Sequence, residues 1–123
     1  MRNQCRHTEG RNKVCQVATM KNLFSNIPKD LPDELFETLV KTDTVDIQRI
    51  VSRGHTTPGE DWYDQDKSEF VVLLKGAARL EFRDGRLATL GPGDWLRIPA
   101  HEQHRVTWTD ENAETVWLAV HYA

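Results

Sequence analysis

The spacing of hydrophobic residues changes along the chain, from a helical period to the two-residue period of β-strands. In the first part, Leu35 and Phe36 begin an apolar pattern. The pattern returns at Leu39 and Val40, which is the spacing of one helical face. Acidic residues lie at the start of this run, where their charge favours the positive end of a helix dipole. We therefore predict a short N-terminal helix within residues 23–41, packed on the main body or, alternatively, bound in a partner's groove.

From Val45 onward, apolar and polar residues alternate, as they do in a strand with one buried face. Short runs of this kind follow one another between turn-forming residues, and Asp84-Gly85 is a strong hairpin signal. A series of short strands with regular turns predicts an antiparallel sandwich or barrel. The predicted strands are 45–52, 69–74, 79–83, 86–90, 95–98, 105–109 and 115–122.

The composition indicates one soluble globular domain. The chain has 123 residues, of which 38% are hydrophobic and 28% charged. No apolar run is longer than Phe70–Leu74, whereas a membrane span needs about 20 apolar residues, so no membrane partner is expected. The basic start lacks a following apolar segment, which argues against a secretory signal and makes the cytoplasm the expected location. The net charge of −3 argues against general nucleic-acid binding.

The N-terminal residues differ from the rest in charge and pattern. Residues 1–19 carry +3 and have almost no apolar periodicity, while residues 20–123 carry −6. We predict a poorly ordered basic extension followed by a single domain. Both cysteines, Cys5 and Cys15, lie in the extension, which excludes a disulfide framework for the fold. With His7 they are an alternative set of metal ligands, although their spacing matches no standard zinc module.

Deleting residues 1–19 is expected to change the stability of the domain little, because this segment has no periodic apolar face to bury. Thermal melts of the full-length chain and of a form starting at Met20 measure the difference. A loss of several degrees in the shorter form would show that the extension packs, for instance as an added strand against a dimer partner.

Two segments resemble the motifs of the cupin family. The segment GDWLRIPAHEQH places Gly93, Pro99 and His104 as in the second cupin motif, and EFVVLLKG (residues 69–76) is similar to the end of the first. The resemblance covers roughly residues 45–122. It implies an all-β fold, namely a cupin antiparallel β-barrel or double-stranded β-helix (jelly roll), and a homodimer.

By this resemblance, Glu69 and His104 would be two ligands of one divalent metal ion, such as Zn, Fe, Mn or Ni. Inward side chains from neighbouring strands of a small barrel converge at one end, and imidazole with carboxylate suits such ions. Open positions on the ion would remain for water or a small-molecule substrate. The alternative is a metal-free pocket in which these two side chains hydrogen-bond each other.

The chain departs from the family where cupins usually carry His-x-His before the glutamate. Depending on loop length, the equivalent pair here is Trp62-x-Asp64 or Tyr63-x-Gln65, and neither contains histidine. Asp64 or Gln65 would then supply an oxygen ligand in place of an imidazole, which gives a harder and weaker site.

An enzyme would need an acid or base beside the metal. The candidates are His55, which is also a candidate for the missing imidazole, His101 at the expected barrel rim, His121 at the end of the last strand, and Tyr63. For His121, a slip of one residue in strand register would reverse the side it faces.

The four tryptophans are core or dimer-packing residues, or they line a ligand cavity. If His104 faces inward, alternation predicts that Val106 and Trp108 do so as well. These two residues, with Trp62, are the candidate pocket residues.

Three functions remain open at this point. The first is a metal-dependent oxygenase, isomerase or lyase acting on a small organic substrate. The second is a non-catalytic binding or sensing module that uses the same cavity, and the altered histidine pair shifts weight towards it. A barrel kept for assembly is a third alternative. A cavity with no titratable group besides Glu69 and His104 would count against an enzyme.

Overall fold

The computed structural model describes residues 17–123. Cys5, His7 and Cys15, and with them most of the predicted extension, lie outside the described residues. Within the described range the chain forms eight strands and no helix. The strands are β1 (Leu35–Lys41), β2 (Val45–Ser52), β3 (Ser68–Lys75), β4 (Ala78–Phe82), β5 (Leu87–Leu90), β6 (Trp95–Ile98), β7 (His104–Thr109) and β8 (Thr115–Tyr122).

The strands form two antiparallel sheets around one core. The larger sheet has the order β1-β2-β8-β3-β6, and the smaller has the order β5-β4-β7. Inward side chains alternate with outward ones along β3 and β4, so each sheet buries one face against the other. Buried residues from both sheets, such as Leu73 and Leu80, form a single apolar cluster. The predicted antiparallel jelly roll is thereby confirmed.

The predicted helix within residues 23–41 is wrong, because part of this segment is strand β1 and no described residue of it is helical. A β-bulge lies between Thr38 and Val40, where the pairing with β2 shifts by one residue. The bulge breaks the two-residue alternation, so the apolar residues of the strand acquire a helix-like spacing. The ladder to β2 and an ion pair between Glu37 and the buried Arg49 stabilise the strand. Tertiary pairing therefore overrides the local pattern.

Turn residues join the strands where the sequence indicates. Asp84-Gly85 lies in the turn between β4 and β5, and Gly85 has a φ of 100°, which suits a residue without a side chain. No helix among residues 17–123 has the length and apolar character needed to cross a membrane. The homodimer and the cytoplasmic location stay predictions.

Candidate functional site

A cavity of about 130 Å³ lies inside the barrel, between the two sheets. Much of its wall consists of apolar side chains, among them Val71, Val106 and Trp117. Its polar groups comprise two carboxylates, two imidazoles, two amides and one phenol. They belong to Glu34, Glu69, His104, His121, Gln48, Gln65 and Tyr63.

Three of these side chains converge from three different strands. Glu69 on β3 and His121 on β8 are register partners, and His104 comes from β7 in the opposite sheet. Nε2 of His104 lies 3.8 Å from Oε1 of Glu69, and Nε2 of His121 lies 3.7 Å from the same oxygen. Glu69 and His104 are both buried. The fold thus brings a carboxylate and two imidazoles to one point inside the cavity.

A contact at Nδ1 fixes the orientation of the His104 ring. Nδ1 lies 3.0 Å from the backbone carbonyl oxygen of Glu102. Because a carbonyl only accepts hydrogen bonds, Nδ1 carries a proton in this contact, and the neutral ring of this tautomer has its lone pair at Nε2. The Nε2 lone pair and the Glu69 carboxylate are both acceptors, so a proton or a cation between them would be stabilised. A histidine oriented in this way is also typical of metal ligands.

Glu69 is the main influence on the pKa of His121. The Glu69 carboxylate, 3.7 Å from Nε2, raises the pKa of His121, against the opposing effect of burial. The charges of Glu69 and Asp46 add to the increase. The side-chain amide nitrogen of Gln65 lies 3.4 Å from Nε2 of His121. An amide N–H only donates, so Nε2 of His121 accepts in this contact and is unprotonated there. Protonation of Nε2 would break the contact with Gln65 and strengthen the pairing with Glu69.

The structure separates the two candidate replacements for the family's His-x-His pair. Tyr63 and Gln65 line the cavity, and Tyr63 forms an isolated β-bridge with His104. Successive side chains of an extended segment point to opposite sides, so Trp62 and Asp64 face away from the cavity. Trp62 packs beneath the guanidinium of Arg105, 4.3 Å away, and does not line the cavity as proposed from the sequence.

Asp64 also lies outside the cavity. Its carboxylate accepts hydrogen bonds from His101, at 2.8 Å, and from Gln103, at 3.0 Å. These two side-chain contacts lower the pKa of the exposed Asp64. The assignment of Asp64 as a metal ligand beside Glu69 is therefore corrected, because the carboxylate belongs to the outer rim.

His55 and His101, two acid–base candidates, do not line the cavity either. In His55, Nδ1 accepts from the backbone of Arg53 at 2.9 Å, and Nε2 contacts the carbonyl of Pro32 at 3.2 Å. Both of its ring nitrogens therefore tie the segment before β1 to the end of β2. His101 has a φ of 67°, is exposed, and binds the rim carboxylate of Asp64. Of the candidates, Tyr63 and His121 reach the cavity.

The prediction that Trp108 faces the cavity is wrong, although Val106 does line it. Leu80 pairs with Val106 and the preceding Arg79 pairs with Trp108, so Thr107 is an extra residue in β7. This bulge reverses the alternation that begins at His104. Trp108 consequently points outward, where the guanidinium of Arg79 lies 5.3 Å from its ring centre.

Trp117 and Glu34 line the cavity but were not among the sequence candidates. Trp117 lies four positions before His121 on β8, an even spacing, so the inward direction of one predicts that of the other. Glu34 is one of the acidic residues that were assigned to the start of the predicted helix. No local sequence pattern indicated that its side chain lies in the barrel. Its carboxylate accepts the hydroxyl of Ser52, whose oxygen in turn accepts from Nε1 of Trp117 at 3.3 Å.

Ionisation of Glu34 is expected to lower the stability of the fold. Burial raises the pKa of Glu34 from its ordinary value of 4.5, against smaller opposing effects of the Ser52 hydrogen bond and of His55. The folded state therefore holds this proton more tightly than the unfolded chain. The free energy of unfolding decreases as the pH rises from the pKa of the unfolded chain to the raised pKa of the folded state. The charge of Glu34 also raises the pKa of Tyr63.

Urea unfolding of the wild type and of Glu34→Gln at about pH 4 and about pH 7 tests this effect. The variant is expected to gain stability relative to the wild type at the higher pH. A stability difference that stays constant with pH would contradict the assignment.

The donor set fits a divalent transition metal, although the spacing is wider than in a formed site. Within residues 17–123, no group of three or more His, Cys, Asp or Glu side chains stands at metal-binding distances. Ligand atoms bound at about 2.0–2.2 Å lie roughly 3–3.5 Å from each other. The two separations at Glu69, 3.8 and 3.7 Å, exceed this range by a few tenths of an ångström.

Comparison with known proteins agrees with this architecture. The family model described as "Cupin domain" matches residues 50–121. Among solved structures, the crystal structure of "a putative mannose-6-phosphate isomerase" from Ralstonia eutropha JMP134 is 42% identical, with a TM-score of 0.81. The match covers 85% of this chain and 98% of that one.

More distant structures share the fold. A cupin superfamily protein from Desulfitobacterium hafniense DCB-2 is 22% identical with a TM-score of 0.65, over 78% of this chain and 83% of that one. An RmlC-like cupin family protein with a double-stranded β-helix fold from Methanocaldococcus jannaschii is 20% identical with a TM-score of 0.62, over 79% and 86%. No curated protein matches the sequence significantly. The family model, the neighbour with 42% identity and the barrel described above lead to one conclusion: this chain belongs to the cupin family.

Proposed function

We propose that the protein is a metal-dependent enzyme that acts on a small organic molecule in the barrel. His104, His121 and Glu69 would hold one divalent ion. The observation that carries this proposal is the approach of two Nε2 atoms to the same oxygen of the buried Glu69, at 3.8 and 3.7 Å, inside the cavity.

Bound at this point, the ion would supply a Lewis acid that polarises a carbonyl or hydroxyl oxygen of the ligand. The protein's own groups would bind and orient that ligand. Burial raises the pKa of Tyr63, so its phenol stays protonated and able to donate a hydrogen bond at neutral pH. The cavity thus has titratable groups beyond Glu69 and His104, which supports an enzyme. The name of the Ralstonia eutropha neighbour supports isomerase chemistry for this site.

A non-catalytic binding module is the second candidate. The apolar character of much of the cavity wall favours it, because Ile50, Leu80 and Ile98 offer contact area and no chemistry. The two functions differ in one measurable respect. Replacing a proton-transfer group such as Tyr63 by Phe lowers turnover more than ligand affinity in an enzyme, and in a binding module no rate exists to be lowered.

The metal content of freshly purified protein, prepared without chelator and without a His tag, tests the proposal. We expect about one divalent transition-metal ion per chain. We also expect a fall in melting temperature when a chelator removes the ion, because an ion bound only to the folded state stabilises it. Protein that contains no such ion, and whose melting temperature does not rise on addition of Zn, Fe, Mn or Ni, would overturn the proposal.

A further inference from the structure

Glu34 is a second carboxylate in the cavity, and the core holds it in place. Its Oε2 atom accepts the hydroxyl of Ser52, which is fully buried. The Ser52 oxygen accepts from the indole nitrogen of Trp117, itself only 4% exposed. Within the described residues, Oε1 of Glu34 takes no hydrogen bond. The carboxylate is therefore oriented at one oxygen and available at the other, at a cavity wall where a ligand hydroxyl can reach it.

The cavity is small, which favours a small ligand. Its volume is about 130 Å³, whereas pockets for drug-sized ligands hold about 300–1,000 Å³. A triose is therefore a better match to this space than a hexose phosphate.

The charges around the cavity disfavour an anionic ligand. Glu34 and Glu69 are acidic, Gln48 and Gln65 are neutral, and among residues 17–123 no Lys or Arg lines the wall. Phosphate groups in proteins are normally met by Arg, Lys or helix N-termini, and two carboxylates in a low-dielectric cavity repel them. The Glu69 carboxylate would offset part of the charge of a bound divalent ion, which lowers the attraction of the ion for an anionic ligand.

We propose that the ligands of this cavity are small uncharged hydroxy-carbonyl compounds, and that Glu34 accepts a hydrogen bond from a ligand hydroxyl. This inference rests on the proposed function for the carbonyl, which the metal ion would bind. The hydroxyl and the exclusion of phosphate follow from Glu34 and from the volume and charge of the cavity. Size, charge and the oriented carboxylate are three separate properties of the site, and they select the same chemical class.

Dihydroxyacetone and dihydroxyacetone phosphate are matched probes, because they differ only in the phosphate. Binding of each to the full chain, as purified with its metal, is measured by ligand-observed NMR titration. We expect dihydroxyacetone to bind at least about tenfold more tightly than its phosphate. Glu34→Gln keeps the shape of the side chain and is expected to weaken dihydroxyacetone binding about tenfold. Glu60→Gln, which removes the same charge at an exposed loop position, is expected to bind like the wild type.

Equal binding of the two probes, binding of neither, or unchanged affinity in Glu34→Gln would each overturn the inference. If Glu34→Gln does not fold, the comparison of the two probes on the wild type decides alone. Metal content is measured on the same samples. Protein that lacks metal but keeps the preference for dihydroxyacetone and its dependence on Glu34 would refute the proposed function and leave Glu34 as the ligand's partner. Metal-containing protein without that preference would refute only this inference.

Discussion

His104→Ala is expected to lower the affinity for the divalent ion by more than about a hundredfold. Weakening a residue that only orients a ligand already costs 10–100-fold, and here a ligand is removed. The barrel is expected to remain folded, because β7 keeps its ladder to β4. Truncating the buried ring leaves a void beside Phe82, so we expect a moderate loss of stability, about 1–3 kcal/mol. Metal content after dialysis, with far-ultraviolet circular dichroism for the fold, measures both effects.

Two further histidines and one amide serve as comparisons. His101→Ala removes an imidazole from the exposed rim and is expected to retain the ion. His121→Ala removes the second imidazole at Glu69 and is expected to lose the ion, whereas Gln65→Ala is expected to retain most of it. His104→Ala protein that binds the ion as the wild type does would show that the ion, if present, is held elsewhere. Loss in Gln65→Ala but not in His121→Ala would assign the third ligand to the amide.

The alternation of the sequence contains most of the fold. The strands predicted at 45–52, 95–98 and 115–122 have the bounds of β2, β6 and β8, because apolar residues are dense there and turn-forming residues precede each segment. The segment before Val45 was predicted as a helix, since β1 contains a bulge and its apolar spacing is no longer that of a regular strand. Local pattern cannot report a bulge, which depends on the neighbouring strand.

For the candidate site as well, local sequence patterns predicted some residues and missed those that depend on neighbouring strands. Glu69 and His104 could be paired from the sequence because the family resemblance specifies both positions. The structure places both side chains in one cavity. Trp108 was assigned to the wrong face because one inserted residue in β7 reverses every later side chain. Glu34 lies far from the motifs along the chain. It reaches the cavity through its contact with Ser52, which no sequence period indicates.

Gly76 follows β3 at a point where the structure has no room for a side chain. Its φ is 94°, and an added Cβ would lie 2.6 Å from Cα of Thr115 and 2.7 Å from the backbone oxygen of Glu114. These are backbone atoms, and Thr115 is held by its pairing with Ser52 and by hydrogen bonds with Ala77. The sequence shows a glycine ending a strand, whereas the structure gives the reason, which is the close approach of β8.

Gly76→Ala is therefore expected to lower the free energy of unfolding by about 3 kcal/mol or more, the combined cost of a strained backbone and of overpacking. Gly85→Ala is the matched control, since its φ is 100° but no atom lies within 4 Å of the added Cβ. That variant carries the conformational cost alone, about 1–3 kcal/mol. Urea unfolding of both variants isolates the effect of the close approach, and equal losses of stability would contradict it.

The β3–β8 register shifts between Leu73 and Lys75, directly before Gly76, and the same ladder sets Glu69 opposite His121. Because a displaced β8 would separate these two side chains, Gly76→Ala is also expected to weaken metal binding, whereas Gly85→Ala is not.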